Sequence, residues 1–318
     1  MKGRASTEPD RPMTPGLILS IGEAMVELSP SDTPELWRLG IAGDTLNTAW
    51  YLRHLLGPDW RVGYLSRVGM GPFSQRMLDF LQAAGIETTH VGRDPRREIG
   101  LYAISLRDGE RSFEYWRDTS AARRLAEDAG ALRQALGTCS LAYLSGITVA
   151  ILPPEGRATL LAALRTARAA GLRVVFDPNL RPRLWPDLAT MRAGIEATAR
   201  LADVVLPSFD DEAAHFGDAD PQATVQRYLA LGAGDVVVKN AGHPIRFGGR
   251  GGAAEVGGLV PERAVDTTAA GDSFNAGFLA AWLEGAETAP AIRAGHALSR
   301  EVIGHRGAMV PAAVAGRR

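Results

Sequence analysis

The sequence predicts an α/β protein built on a mostly parallel sheet with helices on both faces. Three observations predict it. Short β-branched or apolar runs alternate with longer helical patterns along most of the chain. Polar residues recur directly after those runs, where open α/β sheets hold their ligands: Glu23, Ser145, Asp177 with Asn179, Ser208 and Lys239. Finally, 318 residues, 46% hydrophobic and 22% charged, can bury a large core in one big domain or one domain with an appendage.

In order, the strand candidates are Leu17 to Ile21, Val62 to Val68, Leu141 to Ser145, Val174 to Phe176, Val204 to Leu206 and Val236 to Lys239. The clearest helices lie between them, at 45 to 56, 73 to 84, 155 to 170, 187 to 200 and 221 to 231, several ending near Gly. Two regions break this alternation. Ile99 to Arg107 and Glu110 to Arg117 flank Asp108-Gly109, a strong hairpin signal, and with Ala24 to Leu28 and Leu36 to Ile41 they predict a separate four-stranded sheet. Its aromatics, Tyr102, Phe113, Tyr115 and Trp116, favour a covered interface over a free surface hairpin. Gly249-Arg250-Gly251-Gly252-Ala253-Ala254 fits a loose dinucleotide-binding pattern, but no adequate strand precedes it and it reads as a loop.

A net charge of −1 gives no general electrostatic reason to bind nucleic acid or a membrane surface. Cys139 is the only cysteine, which excludes an intrachain disulfide and a cysteine metal cluster, and none of the six histidines has ligand spacing. A cytoplasmic setting is the default expectation. Met1 to Pro15 is polar without an apolar core, so a disordered leader is expected there, followed by a domain over 16–312 and a tail over 313–318. No apolar run approaches the roughly 20 residues of a membrane-spanning helix.

The segment Asp266-Thr267-Thr268-Ala269-Ala270-Gly271-Asp272-Ser273-Phe274-Asn275-Ala276-Gly277 joins a small-residue turn to an apolar-striped helix, with a carboxylate at the junction. Small residues let backbone N–H groups approach an anion, a helix N-terminus adds partial positive charge, and Asp272 is placed to take a proton from an attacking hydroxyl. Phe274, Phe278 and Ala281 with Trp282 share one helix face, and Gly285 supplies the stop. Taken alone, the same residues describe a capped helix start. Lys2 and Lys239 are the only lysines among 35 basic residues, and Lys239 ends a strand run, either facing phosphates or lying at the surface. Neither a Walker-type loop nor the protein-kinase motif set occurs.

The Asp266 to Gly277 stretch resembles the C-terminal signature of the ribokinase-like (PfkB) carbohydrate kinases, and Gly43-Asp44-Thr45-Leu46-Asn47-Thr48-Ala49 resembles their N-terminal sugar-binding signature. Within that family, Ile21 to Ser29, Tyr115-Trp116-Arg117, Leu144 to Ile147 and Asp177 to Trp185 look most like the members acting on 2-keto-3-deoxygluconate. The resemblance spans roughly residues 17 to 310. It implies a three-layer α/β/α sandwich with a small β-sheet lid that often pairs with another subunit's lid. It also implies ATP and Mg²⁺ as cosubstrate and ion, a sugar acid as substrate, and transfer to its 6-hydroxyl. Asp272 would then be the base, and Ala269, Ala270 and Gly271 with Asp272 the anion hole. Gly43, Asp44, Asn47, Tyr102, Tyr115, Arg117, Asn179 and Arg181 would bind the sugar acid. Ser208, Lys239 and Gly242 would join the turn in binding ATP, and Glu212 would organise Mg²⁺ through water.

Several positions depart from the family pattern. Phe209 stands first in the usual Asn-x-x-Glu, Ala42 stands where Gly-Gly is common, Ala269 replaces a frequent Gly, and Asn240-Ala241-Gly242-His243-Pro244 keeps one glycine of the nucleotide loop. Sibling kinases for fructose or ribose, a non-catalytic sugar sensor on this fold, and a lyase or hydrolase using the same carboxylate remain alternatives at this stage.

Overall fold

The first strand shows why the sheet is sandwiched. Every residue of β1 (Leu17–Ile21) is buried, and its side chains alternate between two apolar cores, Ile18 entering one and Leu19 and Ile21 the other. A strand buried on both faces needs a layer on each side. The computed structural model describes residues 13–31, 33, 35–107, 110–249, 252–260 and 262–317. The expected leader up to residue 12 and the Asp108-Gly109 turn therefore lie outside the described residues.

From β1 the chain forms β2 (Met25–Pro30), β3 (Trp37–Ala42), α1 (Asp44–Leu55), β4 (Arg61–Val68), α2 (Pro72–Ala83), β5 (Val91–Arg93), β6 (Gly100–Arg107) and β7 (Glu110–Trp116). It continues through α3 (Ala129–Gly137), β8 (Leu141–Ser145), α4 (Gly146–Ile151), α5 (Pro154–Ala169), β9 (Arg173–Asp177), α6 (Leu188–Ala199) and β10 (Val204–Val205). The last elements are α7 (Phe209–Phe216), α8 (Pro221–Leu231), β11 (Asp235–Val238), β12 (Ile245–Gly249), β13 (Gly252–Val256), α9 (Ala270–Leu283) and α10 (Thr288–Ile303). Local chemistry sets several starts. Asp128, Asp187 and Asp220 accept backbone N–H bonds at the first turns of α3, α6 and α8.

Among the described residues, one sheet runs β13-β12-β11-β10-β9-β8-β1-β4-β5, and a second runs β3-β2-β6-β7. Pairings from β11 across to β5 are parallel, whereas β12 and β13 add an antiparallel edge. Helices α1, α9 and α10 supply one core through Leu46, Phe278 and Ile292, and α3, α5 and α6 supply the other through Leu132, Leu160 and Ile195. Strand order reverses between β1 and β8, so a crevice opens there beyond the carboxyl ends of the strands. The four-stranded sheet assembles from the four expected segments and stands over that crevice.

Three expectations need correction. The segment from Gly249 to Ala254 is not a free loop: its described residues belong to the edge hairpin of β12 and β13, because backbone pairing to β11 compensates for weak side-chain packing. Ala313 and Val314 are buried in the core and so are not a loose tail. Met13, inside the expected leader, packs partly buried against the same core.

Candidate active site

Ala269 caps the start of helix α9 in the left-handed region at φ 59°. That turn leaves Gly271 and Asp272 in the first helical turn, where N–H groups have no partner within the helix. The N–H of Ala270, expected to point at an anion, donates instead to Thr267 O at 3.2 Å. Asp266 braces the turn: its carboxylate accepts from Thr268 N at 3.0 Å and from Gly307 N at 2.8 Å. Asp272 is buried, and its Oδ2 accepts from Asn47 Nδ2 at 2.8 Å. Burial, then the like charge of Asp44, pushes its carboxyl up to about 8, while the Asn47 bond acts in the opposite direction.

Helix α1 delivers Asn47 and Asp44 from the opposite wall. A Cβ on Gly43, at its start, would lie 2.4 Å from Glu23 O, so the backbone approach demands glycine. Asp44 Oδ2 accepts from Asn179 Nδ2 at 2.8 Å, and Asn179, at φ 35°, folds its N–H back onto Asp177 Oδ1. Asp177, at the end of β9, accepts from Lys239 Nζ at 2.8 Å and from Asn275 Nδ2 at 2.6 Å. Lys239 Nζ also donates to Asn275 Oδ1 at 3.2 Å. The one lysine among the described residues thus faces the site, held by a buried carboxylate.

Most of these groups line one cleft of about 290 Å³, with Asp266 and Asn275 behind its wall. It contains Gly43, Asp44, Asn47, Tyr102, Tyr115, Arg117, Asn179, Arg181, Ser208, Lys239 and residues Ala269 through Asp272. Arg117 donates through Nε and Nη2 to Glu23. Tyr102 donates to Glu27 and lies 5.8 Å from the Tyr115 ring. Arg181 is half exposed at the rim, with Nη1 3.5 Å from Asp211.

Two expected residues are elsewhere. Glu212 is fully buried away from the cleft, taking Arg227 Nη2 at 2.6 Å and Tyr228 Oη at 2.9 Å, and burial raises its carboxyl to about 7. Its neighbour Asp211 lines the cleft instead, and burial raises its carboxyl too. Gly242 does not line the cleft: with Ala241 it has positive φ in a tight turn closed by His243 N to Asn240 O at 2.7 Å, which joins β11 to β12. Asn275 was not among the expected site residues, although its place three residues after Asp272 puts both on one helix face.

The profile of the pfkB family carbohydrate kinases matches residues 16–314. The chain belongs to that family. This kinase is 39% identical over 306 residues to the 2-dehydro-3-deoxygluconokinase of Dickeya dadantii, an alignment covering 94% of this chain and 98% of that one. A PfkB protein structure from Polaromonas superposes with a TM-score of 0.78 at 30% identity, covering 91% of this chain and 96% of that one. A putative ribokinase II from Escherichia coli, solved in complex with ATP and Mg²⁺, shares the fold at a TM-score of 0.79 and 22% identity, covering 93% and 94% of the two chains.

Proposed function

We propose that this kinase transfers the γ-phosphoryl group of ATP to the 6-hydroxyl of 2-keto-3-deoxygluconate, the compound also called 2-dehydro-3-deoxygluconate. The observation that carries the reading is the near full-length likeness to the Dickeya enzyme of that name. The cleft supplies matching chemistry: a base candidate at a helix start on one side, and a buried arginine with two tyrosines under the small sheet on the other.

Phosphoryl transfer asks for positioning and charge stabilisation more than for covalent work by the protein. Asp272 takes the hydroxyl proton, which its raised affinity for protons favours. The N–H groups of Gly271 and Asp272 meet the equatorial phosphoryl oxygens, aided by the helix dipole. Lys239 and Arg181 add positive charge along the nucleotide side. Mg²⁺ supplies further charge neutralisation when it is bound with ATP. Asp211, on the cleft wall, would hold it through a hard carboxylate oxygen, the role expected of Glu212. Arg117 recognises the substrate carboxylate, with Tyr102 and Tyr115 lining the pocket beside it. The small sheet excludes water, limiting wasteful hydrolysis, and its exposed aromatics pair it with a second copy. An ATP-consuming role fits a cytoplasmic setting.

The reading is tested by incubating the protein with 2-keto-3-deoxygluconate, ATP and Mg²⁺ and locating the phosphate by phosphorus–proton NMR. A 6-phosphate that forms only with ATP supports it; product formed without ATP, or phosphate on another carbon, contradicts it.

A further inference from the structure

Arg117 follows β7, at the edge of the small sheet, while Glu23 follows β1, an inner strand of the large one. The two meet in a buried ion pair, Arg117 7% exposed and Glu23 2%. One carboxylate oxygen, Glu23 Oε2, accepts both Nε, at 2.8 Å, and Nη2. The other, Oε1, accepts from Ser120 Oγ, and Ser120 N donates to Arg117 O at 3.0 Å. A Cβ on residue 100 would fall 2.9 Å from Glu23 Oε1 and 3.4 Å from Arg117 Cβ, so Gly100 leaves the room in which the pair closes.

This arrangement has a geometric consequence. A guanidinium presents two edges that bind carboxylates, one formed by Nε with a terminal nitrogen and one formed by the two terminal nitrogens. Glu23 takes the first edge, so the second is not consumed by it. Stability is a weak reason for such a pair, because desolvating both charges offsets most of their attraction and well-packed apolar residues do as well. Both partners also line the cleft.

We propose that Glu23 is a positioning residue for substrate recognition. It fixes Arg117 so that the terminal edge faces the carboxylate of an incoming sugar acid, and it ties the small sheet to β1 of the large one while doing so. The inference rests on the sugar-acid reading above. Its ligand class is a small carboxylate-bearing sugar, and Glu23 contributes to how tightly that carboxylate is held, with no part in the transfer step.

The test is a double-substitution cycle with Glu23→Gln and Arg117→Ala, following 2-keto-3-deoxygluconate and ATP separately, with thermal unfolding to confirm that each variant folds. Glu23→Gln is expected to raise KM for the sugar acid about tenfold while kcat and the KM for ATP change less than about twofold. In the Arg117→Ala background the same substitution should add nothing, and Glu23→Asp should recover part of the loss. An unchanged KM for the sugar acid, equal shifts in both KM values, or the same penalty in the Arg117→Ala background would each overturn the inference. If a Glu23 variant fails to fold, Ser120→Ala serves in its place and should raise the same KM alone. Absence of wild-type turnover of the sugar acid would instead remove the substrate reading itself.

Discussion

The proposed base, Asp272, concentrates the chemistry assigned to this site in one carboxyl group. Replacing it with Asn keeps the shape and the Asn47 neighbour but removes the proton acceptor, so kcat should fall about a hundredfold or more; steady-state ADP release would show this, and equal rates would refute a base at this position. The sign of its pH dependence follows from the direction of its shift. As the proposed base, Asp272 acts in its carboxylate form and burial favours the protonated form, so kcat/KM should rise with pH through about 8. A profile that is flat or falling between pH 6 and 8 would contradict this. At this scale the sequence is most legible where a motif is local: Asp272, Gly271 and Asn47 can be found because their spacing fixes their geometry. Glu212 and Asp211 show the limit. Neighbouring residues on a helix differ by about 100° in direction, so which carboxylate faces the cleft depends on the phase of α7, and packing against Arg227 and Tyr228 sets that phase.

Elements position these residues through close approaches. Helix α9 carries Asp272 and Asn275, and α10 packs tightly against it because glycines meet at their crossing. A Cβ on Gly295 would lie 2.7 Å from Phe274 O, and one on Gly277 would lie 2.9 Å from Ala294 O. Gly295→Ala should therefore destabilise the fold by about 1–3 kcal/mol, the range for overpacking, read as a lowered midpoint in urea unfolding. Since the neighbour is backbone and not a flexible side chain, kcat should fall as α9 shifts; an unchanged midpoint would show that the helices separate without cost. Strands with strong apolar runs, such as β1 and β8, stand out in sequence because burial on both faces leaves little room for polar residues. The β12 and β13 hairpin does not, since glycine-rich edge strands depend on backbone pairing that composition does not reveal.

At the scale of the whole molecule, the small sheet leaves Trp37, Phe113, Tyr115 and Trp116 between 41% and 57% exposed. Trp37 and Trp116 share one face, Phe113 and Tyr115 the cleft face; exposed aromatics call for a partner, and a second copy of the same sheet is the one proposed. Sedimentation velocity should give a dimer at micromolar concentration and a monomer for Phe113→Asp, whereas a monomeric wild type would leave the aromatics with a different purpose. Fold class and crevice were legible because alternating elements and strand-end polar residues recur along the chain. The partners within the crevice were not, because contacts such as Asn47 to Asp272 join residues 225 positions apart. The most direct measurement is kcat/KM for 2-keto-3-deoxygluconate against fructose in an ATP-dependent ADP-release assay. A clear preference for the sugar acid, lost in Arg117→Ala, is the expected result; equal or greater efficiency with fructose would contradict a carboxylate-recognising site.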